Sequence, residues 1–296
     1  MATNVEKDTV SGQYTTGHEW DGIKELNTPL PKWWVWVFLA TIVWAIGYWV
    51  LYPSWPTANG YWSGTLGWHA RTQVVHDIEQ ANAAKAVYLA KIRDASLEDI
   101  VKDKDLLNFA LAGGRSVFNE NCAACHGVGG VGGYGFPALA VGQWLWGGTL
   151  DDIKTTITYG IRNNNPNSRQ SEMPAFGGGD VLNESQLNDL AEYVLSLSKS
   201  GKDPAAAARG KDIFTNNGCV GCHGESGEGN QALGAPALAS GVWLYKAHTP
   251  GGQKAEIISQ VTKPKGGVMP SWADRGLDEA TIKELTVYVH SLGGGK

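Results

Sequence analysis

The feature that most constrains this chain is a five-residue pattern that occurs twice, as Cys122-Ala123-Ala124-Cys125-His126 and Cys219-Val220-Gly221-Cys222-His223. The two copies use all 4 cysteines of the 296 residues. Cys-x-x-Cys-His is the attachment signature of c-type haem: two thiols add to vinyl groups of the macrocycle, and the adjacent histidine becomes an axial iron ligand. Two other readings compete. A thioredoxin-like dithiol needs no histidine directly after each second cysteine. A zinc site built from both pairs uses the four thiols but leaves the matched surroundings of the two motifs unexplained. The expectation is two covalently bound haem c groups, held through Cys122, Cys125, Cys219 and Cys222, with His126 and His223 on iron. Covalent haem attachment implies the outer side of an energy-transducing membrane, and cysteines committed to haem say nothing about disulfides.

The surroundings repeat as well, with an offset of about 97 positions. Gly114-Arg115-Ser116-Val117-Phe118 matches Gly210-Lys211-Asp212-Ile213-Phe214, each in an amphipathic helix running into its motif. Pro137-Ala138-Leu139-Ala140 matches Pro236-Ala237-Leu238-Ala239, and Trp144-Leu145 matches Trp243-Leu244. Leu182 to Leu197 matches Leu277 to Leu292, each a closing amphipathic helix with a Tyr-Val pair. The short polar stretch from Ser198 to Pro204 marks the boundary between copies, each of a size common for one small domain. Trp144, Trp243, Leu145 and Leu244 are expected to pack on the porphyrin and keep it dry, and Gly127 and Gly224 to let the backbone approach it.

Of the 3 methionines one is the initiator; the others, Met173 and Met269, fall at matching places in the repeats, each followed by proline. Proline restricts the residue before it to an extended conformation, so such a loop can present a thioether on the face opposite the histidine. Met173 and Met269 are the expected sixth ligands. Between residues 107 and 200 the first haem has no rival imidazole to His126; His248 and His290 lie in the second repeat without histidine counterparts and are not expected on iron. Thioether ligation raises the reduction potential relative to bis-histidine iron and fills the coordination sphere. Such haems pass electrons and do not activate substrate.

Ahead of the repeats, residues 1–32 are polar and turn-rich, too long and too acidic for the charged start of a secretory signal. From Trp33 to Tyr52 no charge occurs, the length a helix needs to cross a hydrocarbon core. Trp33, Trp34 and Trp36 at one end, and Tyr48, Trp49, Tyr52 and Trp55 at the other, read as aromatic belts in contact with membrane lipid. Lys24 and Lys32 precede the span and the first basic residue after it is Arg71, which favours a cytoplasmic N-terminus. Pro53 and Pro56 end the span, Gly60 to Gly67 is turn-rich, and Thr72 to Asp94 has a helical pattern. Ser96 with Asp99 reads as a cap for a short helix. His69 and His76 in this connector are expected as surface contacts. The net charge of −5 and the lack of a phosphate-cradling loop argue against nucleic acid as a partner. The first repeat is the more acidic of the two, so the haem domains are expected to meet different partners. The expected fold is mainly α: a cytoplasmic leader (1–32), one transmembrane helix (33–52), a helical connector (53–106) and two tandem cytochrome c domains (107–200 and 201–296).

With these parts placed, the chain resembles the membrane-anchored di-haem cytochrome c subunit, subunit III, of cbb3-type cytochrome c oxidase, over nearly its whole length. The repeats alone indicate only class I cytochromes c in tandem. The specific part is the leader, Gly17-His18-Glu19-Trp20-Asp21-Gly22-Ile23-Lys24-Glu25-Leu26-Asn27 with Pro29-Leu30-Pro31 and Trp33-Trp34, running into Ala45-Ile46-Gly47-Tyr48-Trp49 and Tyr52-Pro53. The resemblance implies a subunit of the bacterial inner membrane with its haem domains in the periplasm. It implies electron flow from a donor cytochrome c to a mono-haem c subunit, and on to a catalytic haem–copper subunit that reduces oxygen and pumps protons. It also implies that Cys122, Cys125, His126 and Met173 hold one haem, and Cys219, Cys222, His223 and Met269 the other. His18 and Trp20 are carried as a contact with the large subunit. A tethered di-haem shuttle for another respiratory complex is the alternative, although a mere tether needs no patterned leader. A di-haem peroxidase needs one iron with a vacant position, against which both Met-Pro pairs argue.

Overall fold

A computed structural model describes residues 4–177, 181–249 and 251–293. The chain forms two compact units, one ending at Ala84 and the other beginning at Lys85.

In the first unit, strands β1 (Thr15–Trp20) and β2 (Ile23–Leu26) form an antiparallel hairpin in the stretch read from sequence only as a polar leader. Asp21 and Gly22 turn it with φ of 47° and 86°, the paired positive values that match the twist of a two-residue hairpin. Its exposed face carries Trp20, whose indole donates to Glu25 at 3.1 Å, with His18 Nδ1 3.7 Å from the same carboxylate. Helix α1 (Lys32–Leu51) is uncharged after Lys32 and buries no residue. Twenty residues of exposed apolar helix are not sustained in water, whereas a helix satisfies its backbone internally and is at home in hydrocarbon. A small ribbon of β3 (Pro56–Thr57) and β4 (Gly60–Tyr61) follows. Beyond it, the amides of Thr65 and Leu66 donate to the carbonyls of Val50 and Leu51 at 2.9 and 3.1 Å, satisfying the end of α1. Gly64, at φ 76°, is required there because a Cβ would run into the Leu51 carbonyl.

The division between units falls inside α2 (Ala70–Asp94), so the expected connector is not a body of its own: residues from 85 onward belong with the haem motifs. Ser96 caps α3 (Leu97–Lys102), accepting from the Asp99 amide at 3.1 Å, and Asp103 caps α4 (Lys104–Asn121). Ile92, Leu97, Ile100, Leu106 and Ala110 share one core with Ala280 and Val287 of the last helix, α11 (Glu279–Gly293). The Lys283 ammonium of α11 donates to the carbonyls of Arg93 and Ala95, 2.7 Å each, at the end of α2.

The packing does not follow the repeats. Helix α7 (Glu184–Leu197), the closing helix of the first repeat, packs on α8 (Pro204–Asn216), the opening helix of the second. Helix α11 packs on α4. One core joins Leu187, Leu190, Val194 and Phe214 to Ile257 and Val261 of α10 (Gln253–Thr262). The other joins Phe118, Ile153 and Ile157 of α4 and α6 (Leu150–Tyr159) to Ile282, Leu285 and Val289 of α11. Each opening helix therefore receives the closing helix of the other repeat, where the sequence suggested 107–200 and 201–296 as separate bodies. The reason lies in the short link from Ser198 to Asp203: helices so closely joined dock as neighbours. With α7 taken by α8, the apolar stripe of α4 is left for α11.

Candidate haem centres

Both motifs sit at a helix end. Helix α4 runs directly into Cys122, and the single turn α5 (Ala123–His126) carries the rest of the first motif. Helix α8 and the single turn α9 (Val220–His223) do the same for the second. One thiol of each pair is turned inward, Cys122 buried and Cys219 half-buried, while Cys125 and Cys222 are exposed. Burial pushes the Cys122 thiol up to about 11 and raises that of Cys219 as well. Among the described residues no group of three or more His, Cys, Asp and Glu side chains converges, so the pairs do not assemble the zinc site considered above.

The histidines are held alike. His126 Nδ1 lies 3.0 Å from the carbonyl oxygen of Pro137, and His223 Nδ1 lies 3.1 Å from that of Pro236. A carbonyl only accepts, so each ring donates through Nδ1 and keeps the Nε2 lone pair for a metal. Burial pushes both histidines below their usual value, with the carbonyl bonds acting in the opposite direction, so the rings are neutral at pH 7. Gly127 and Gly224 end the single-turn helices at φ 75° and 79°. The positive φ favours glycine at both positions.

An apolar cleft opens beside the first motif, lined by Phe118, Cys122, His126, Trp144, Leu145 and Trp146. The methionine in this cleft is Met269. Its backbone pairs with Ile161 in both directions at 3.0 Å, and the Asn163 amide donates to its carbonyl at 2.7 Å. The Trp272 amide, three residues on, donates to Ile157 O at 3.2 Å. Met173 packs instead on the core beside Cys219, Val220 and Trp243. There the Phe176 amide, again three residues on, donates to Val261 O at 3.0 Å. Thus the structure brings Met269 to Cys122 and His126, and Met173 to the surroundings of Cys219, the reverse of the pairing the resemblance implied. Arg162 stands between the two loops. It donates to Gly267 O at 2.7 Å and to Ser171 O at 3.1 Å, two residues ahead of each methionine.

These residues fit a haem. The walls are apolar, each imidazole has a free nitrogen, and a thioether lies at hand. The buried Trp144 indole N–H has no partner among the described residues, a donor that a haem propionate would satisfy. The other histidines are placed elsewhere: His69 meets the Tyr61 hydroxyl at 3.1 Å, His76 neighbours Asp77, His290 is on α11, and His248 stacks on Tyr134 at 5.6 Å. Sequence reasoning did not single out Trp272, Asn163 or Arg162. Trp272 was recoverable, since it aligns with Phe176 in the repeat; Asn163 and Arg162 have no repeat partner or motif.

The two motif loops also touch. The Gly135 amide donates to Leu244 O at 2.8 Å, and Tyr134 donates to Glu256 at 2.8 Å while accepting from Lys265 at 2.9 Å. A groove between the loops is lined by residues from both, among them Phe136, Pro137, Pro236 and Trp243.

A helix crossing, a single-turn motif helix and a thioether loop, each present twice, define a di-haem cytochrome c. Comparison with known proteins narrows this. Residues 12–59 match the N-terminal domain of cytochrome oxidase-cbb3, FixP; residues 109–194 match cytochrome c oxidase, cbb3-type, subunit III; and residues 207–293 match cytochrome c. The chain is 51% identical to the cbb3-type cytochrome c oxidase subunit CcoP of Azospirillum brasilense, over 98% of this chain and 99% of that one. It is 51% identical to subunit FixP of Azorhizobium caulinodans, over 98% and 96% of the two chains. Subunit CcoP of Cereibacter sphaeroides is 46% identical over the full length of both. The chain belongs to the family of the cbb3-type cytochrome c oxidase subunit CcoP/FixP, and is a di-haem electron-transfer subunit with two covalently bound haem c.

Proposed function

We propose that this subunit accepts electrons from a donor cytochrome c and relays them, through its two haems, to a mono-haem c subunit that serves the catalytic haem–copper subunit. Cys122 and Cys125 hold one haem and Cys219 and Cys222 the other, through thioether bonds. His126 and His223, with Met173 and Met269, would bind the irons. Bound haem supplies a one-electron Fe(III)/Fe(II) couple. The protein's own part is to fix each imidazole through a proline carbonyl, to present a thioether and to exclude water with Trp144, Trp146 and Trp272. With a histidine and a methionine available to each iron, no position would be left for peroxide or oxygen, and the subunit would not itself be catalytic. The observation that carries the reading is a neutral histidine, held by a carbonyl through Nδ1, beside an inward-facing thiol and a methionine in one apolar cleft.

The topology follows from charge. Lys24 and Lys32 hold the start of α1 at the cytoplasmic face of the inner membrane, the aromatic belts meet membrane lipid, and the haem motifs lie in the periplasm. The β1–β2 hairpin, with His18, Trp20 and Glu25 on its exposed face, gives the cytoplasmic side a structured contact for the large subunit. Gentle solubilisation and purification tests this. Haem b, copper and cyanide-sensitive oxygen uptake should accompany two haem c per chain. Two haem c alone would favour a tethered shuttle. Met173→His or Met269→His should lower the potential of one haem in a redox titration, and unchanged potentials would refute the methionine ligands. Peroxide turnover by the purified subunit would refute the closed coordination.

A further inference from the structure

We propose that the segment from Trp55 to Trp68 is a lipid-binding ribbon: the chain folds back on the far end of α1 and lays aromatic side chains on the bilayer surface, where headgroups meet acyl chains. This rests on the reading of α1 as the membrane span and adds a second contact with the same membrane. The ribbon is built onto the span. The amides of Thr65 and Leu66 donate to the carbonyls of Val50 and Leu51 at 2.9 and 3.1 Å, and the Ser54 hydroxyl donates to Trp49 O at 3.0 Å. Rings close the same junction, Trp49 on Trp55 at 4.7 Å and Tyr52 on Trp68 at 6.1 Å. Gly64 comes so near the Leu51 carbonyl that no Cβ fits between them. The segment is therefore fixed at the level of the last turn of α1.

At that depth a bilayer favours side chains with an apolar body and a polar tip. The segment supplies them: Trp55, Tyr61, Trp62, Leu66 and Trp68 are each at least 41% exposed. Between Lys32 and Arg71 there is no lysine, arginine, aspartate or glutamate, so no charge has to leave water and none is on offer to a protein partner. The ribbon's backbone is paired internally. Beside the β3–β4 pair, the Trp62 amide donates to Trp55 O at 2.8 Å and the Ser54 amide to Trp62 O at 3.0 Å, which lowers the cost of entering the interface. Its apolar surface continues that of a helix that buries no residue, so one lipid phase covers both. The consequence is that the ribbon fixes the depth of α1, and α2 begins at Ala70 from the membrane surface.

The test is photocrosslinking of the assembled, haem-loaded protein in its native membrane. Trp62→p-benzoylphenylalanine places a photoreactive aromatic ketone on the ribbon, and Leu66→p-benzoylphenylalanine does so with every tryptophan left in place. Val43→p-benzoylphenylalanine marks the middle of the span. After irradiation, the peptides carrying positions 62 and 66 should gain the mass of a phospholipid. Crosslinks from both positions to another polypeptide, without lipid adducts, would overturn the proposal and make the ribbon a contact between subunits. Lipid adducts at position 43 and none at 62 or 66 would overturn the ribbon alone and leave the span standing. No lipid adduct at any of the three would overturn the reading of α1 as a membrane span, and the ribbon with it.

Discussion

The two helix crossings share a backbone plan and differ in how they treat their acid. In the α4–α11 crossing Gly114 lies against the carbonyl of Glu284 and the Cβ of Tyr288; in the α7–α8 crossing Gly210 lies against the carbonyl of Asp189 and the Cβ of Tyr193. Phe118 meets Tyr288 at 5.4 Å, and Tyr193 meets Phe214 at 5.2 Å. The carboxylates at the matched positions fare differently. Asp189 receives two hydrogen bonds of 2.7 Å from the Arg209 guanidinium, which holds it below the usual carboxylate range. Glu284 is 5% exposed, its Oε1 has no partner among the described residues, and burial pushes it up to about 7. The cause is one position in sequence. The residue before Gly210 is Arg209, and the residue before Gly114 is Gly113, which has no side chain to offer. Close helix contact is common to both sites, then, and charge compensation belongs to one.

The largest expected effect falls on what they share. Gly114→Val and Gly210→Val each put side-chain atoms where the partner helix has a carbonyl. Each should cost roughly 3 kcal/mol or more in thermal or denaturant unfolding, because backbones in contact cannot make room without separating. Gly114→Val should spoil the ligand field of the Cys122 haem through α11. A tolerated valine at 114 would mean that α11 docks elsewhere and would break the comparison at its root.

A smaller effect should separate the two crossings. Asp189→Asn removes the acceptor charge facing Arg209 and should destabilise the α7–α8 crossing by roughly 2 kcal/mol, the scale of charge-assisted hydrogen bonds on a mostly buried acid. Because the folded state lowers the pKa of Asp189, its contribution is fully present above the unfolded value of 3.8 and is lost as pH falls through the lowered one. Between about pH 5 and 8 the cost of the substitution should therefore be constant. A cost that varies across that window would show that another group governs the crossing.

Much of this was legible in the sequence, for identifiable reasons. The haem motifs, the uncharged span and the amphipathic closing helices are local patterns: Cys122 to His126 is read within five residues, α1 by its want of charge, and α7 and α11 by period. The repeat also aligned Pro137 with Pro236, whose carbonyls hold the histidines. Repeat alignment could not say which closing helix meets which opening helix. Both pairs present the same Gly, Tyr and apolar pattern, so the choice depends on the length of the Ser198–Asp203 link rather than on the faces themselves. Nor was the β1–β2 hairpin evident, since its strands are short and polar and only Asp21-Gly22 marks the turn. Arg162 had no signal at all. Its φ of 50°, unusual for a residue with a side chain, and its two carbonyl partners are defined by loops more than a hundred residues apart in the case of Gly267.

The smallest effect concerns Glu284 and has the opposite sign. Its pKa is 4.5 in an unfolded chain and about 7 in the fold, where burial and the Asp278 carboxylate raise it and Lys85 offsets part of the rise. Between these values the folded protein holds a proton that the unfolded chain has released, so stability falls as pH climbs from 4.5 to about 7, and does not recover above it. Glu284→Gln removes the titration and should leave the protein more stable at pH 8 by about 1 kcal/mol, less than the shift alone suggests, since a buried glutamine still carries an acceptor in need of a partner. At pH 4 the two proteins should unfold alike, both being neutral there. The same substitution at Asp189, which is paired, destabilises; at Glu284, which is not, it stabilises. Unfolding measured at pH 4 and pH 8 on both variants would check this reversal of sign, and a destabilised Glu284→Gln at pH 8 would mean that Glu284 has a partner in the assembled subunit that replaces the one Gly113 does not provide.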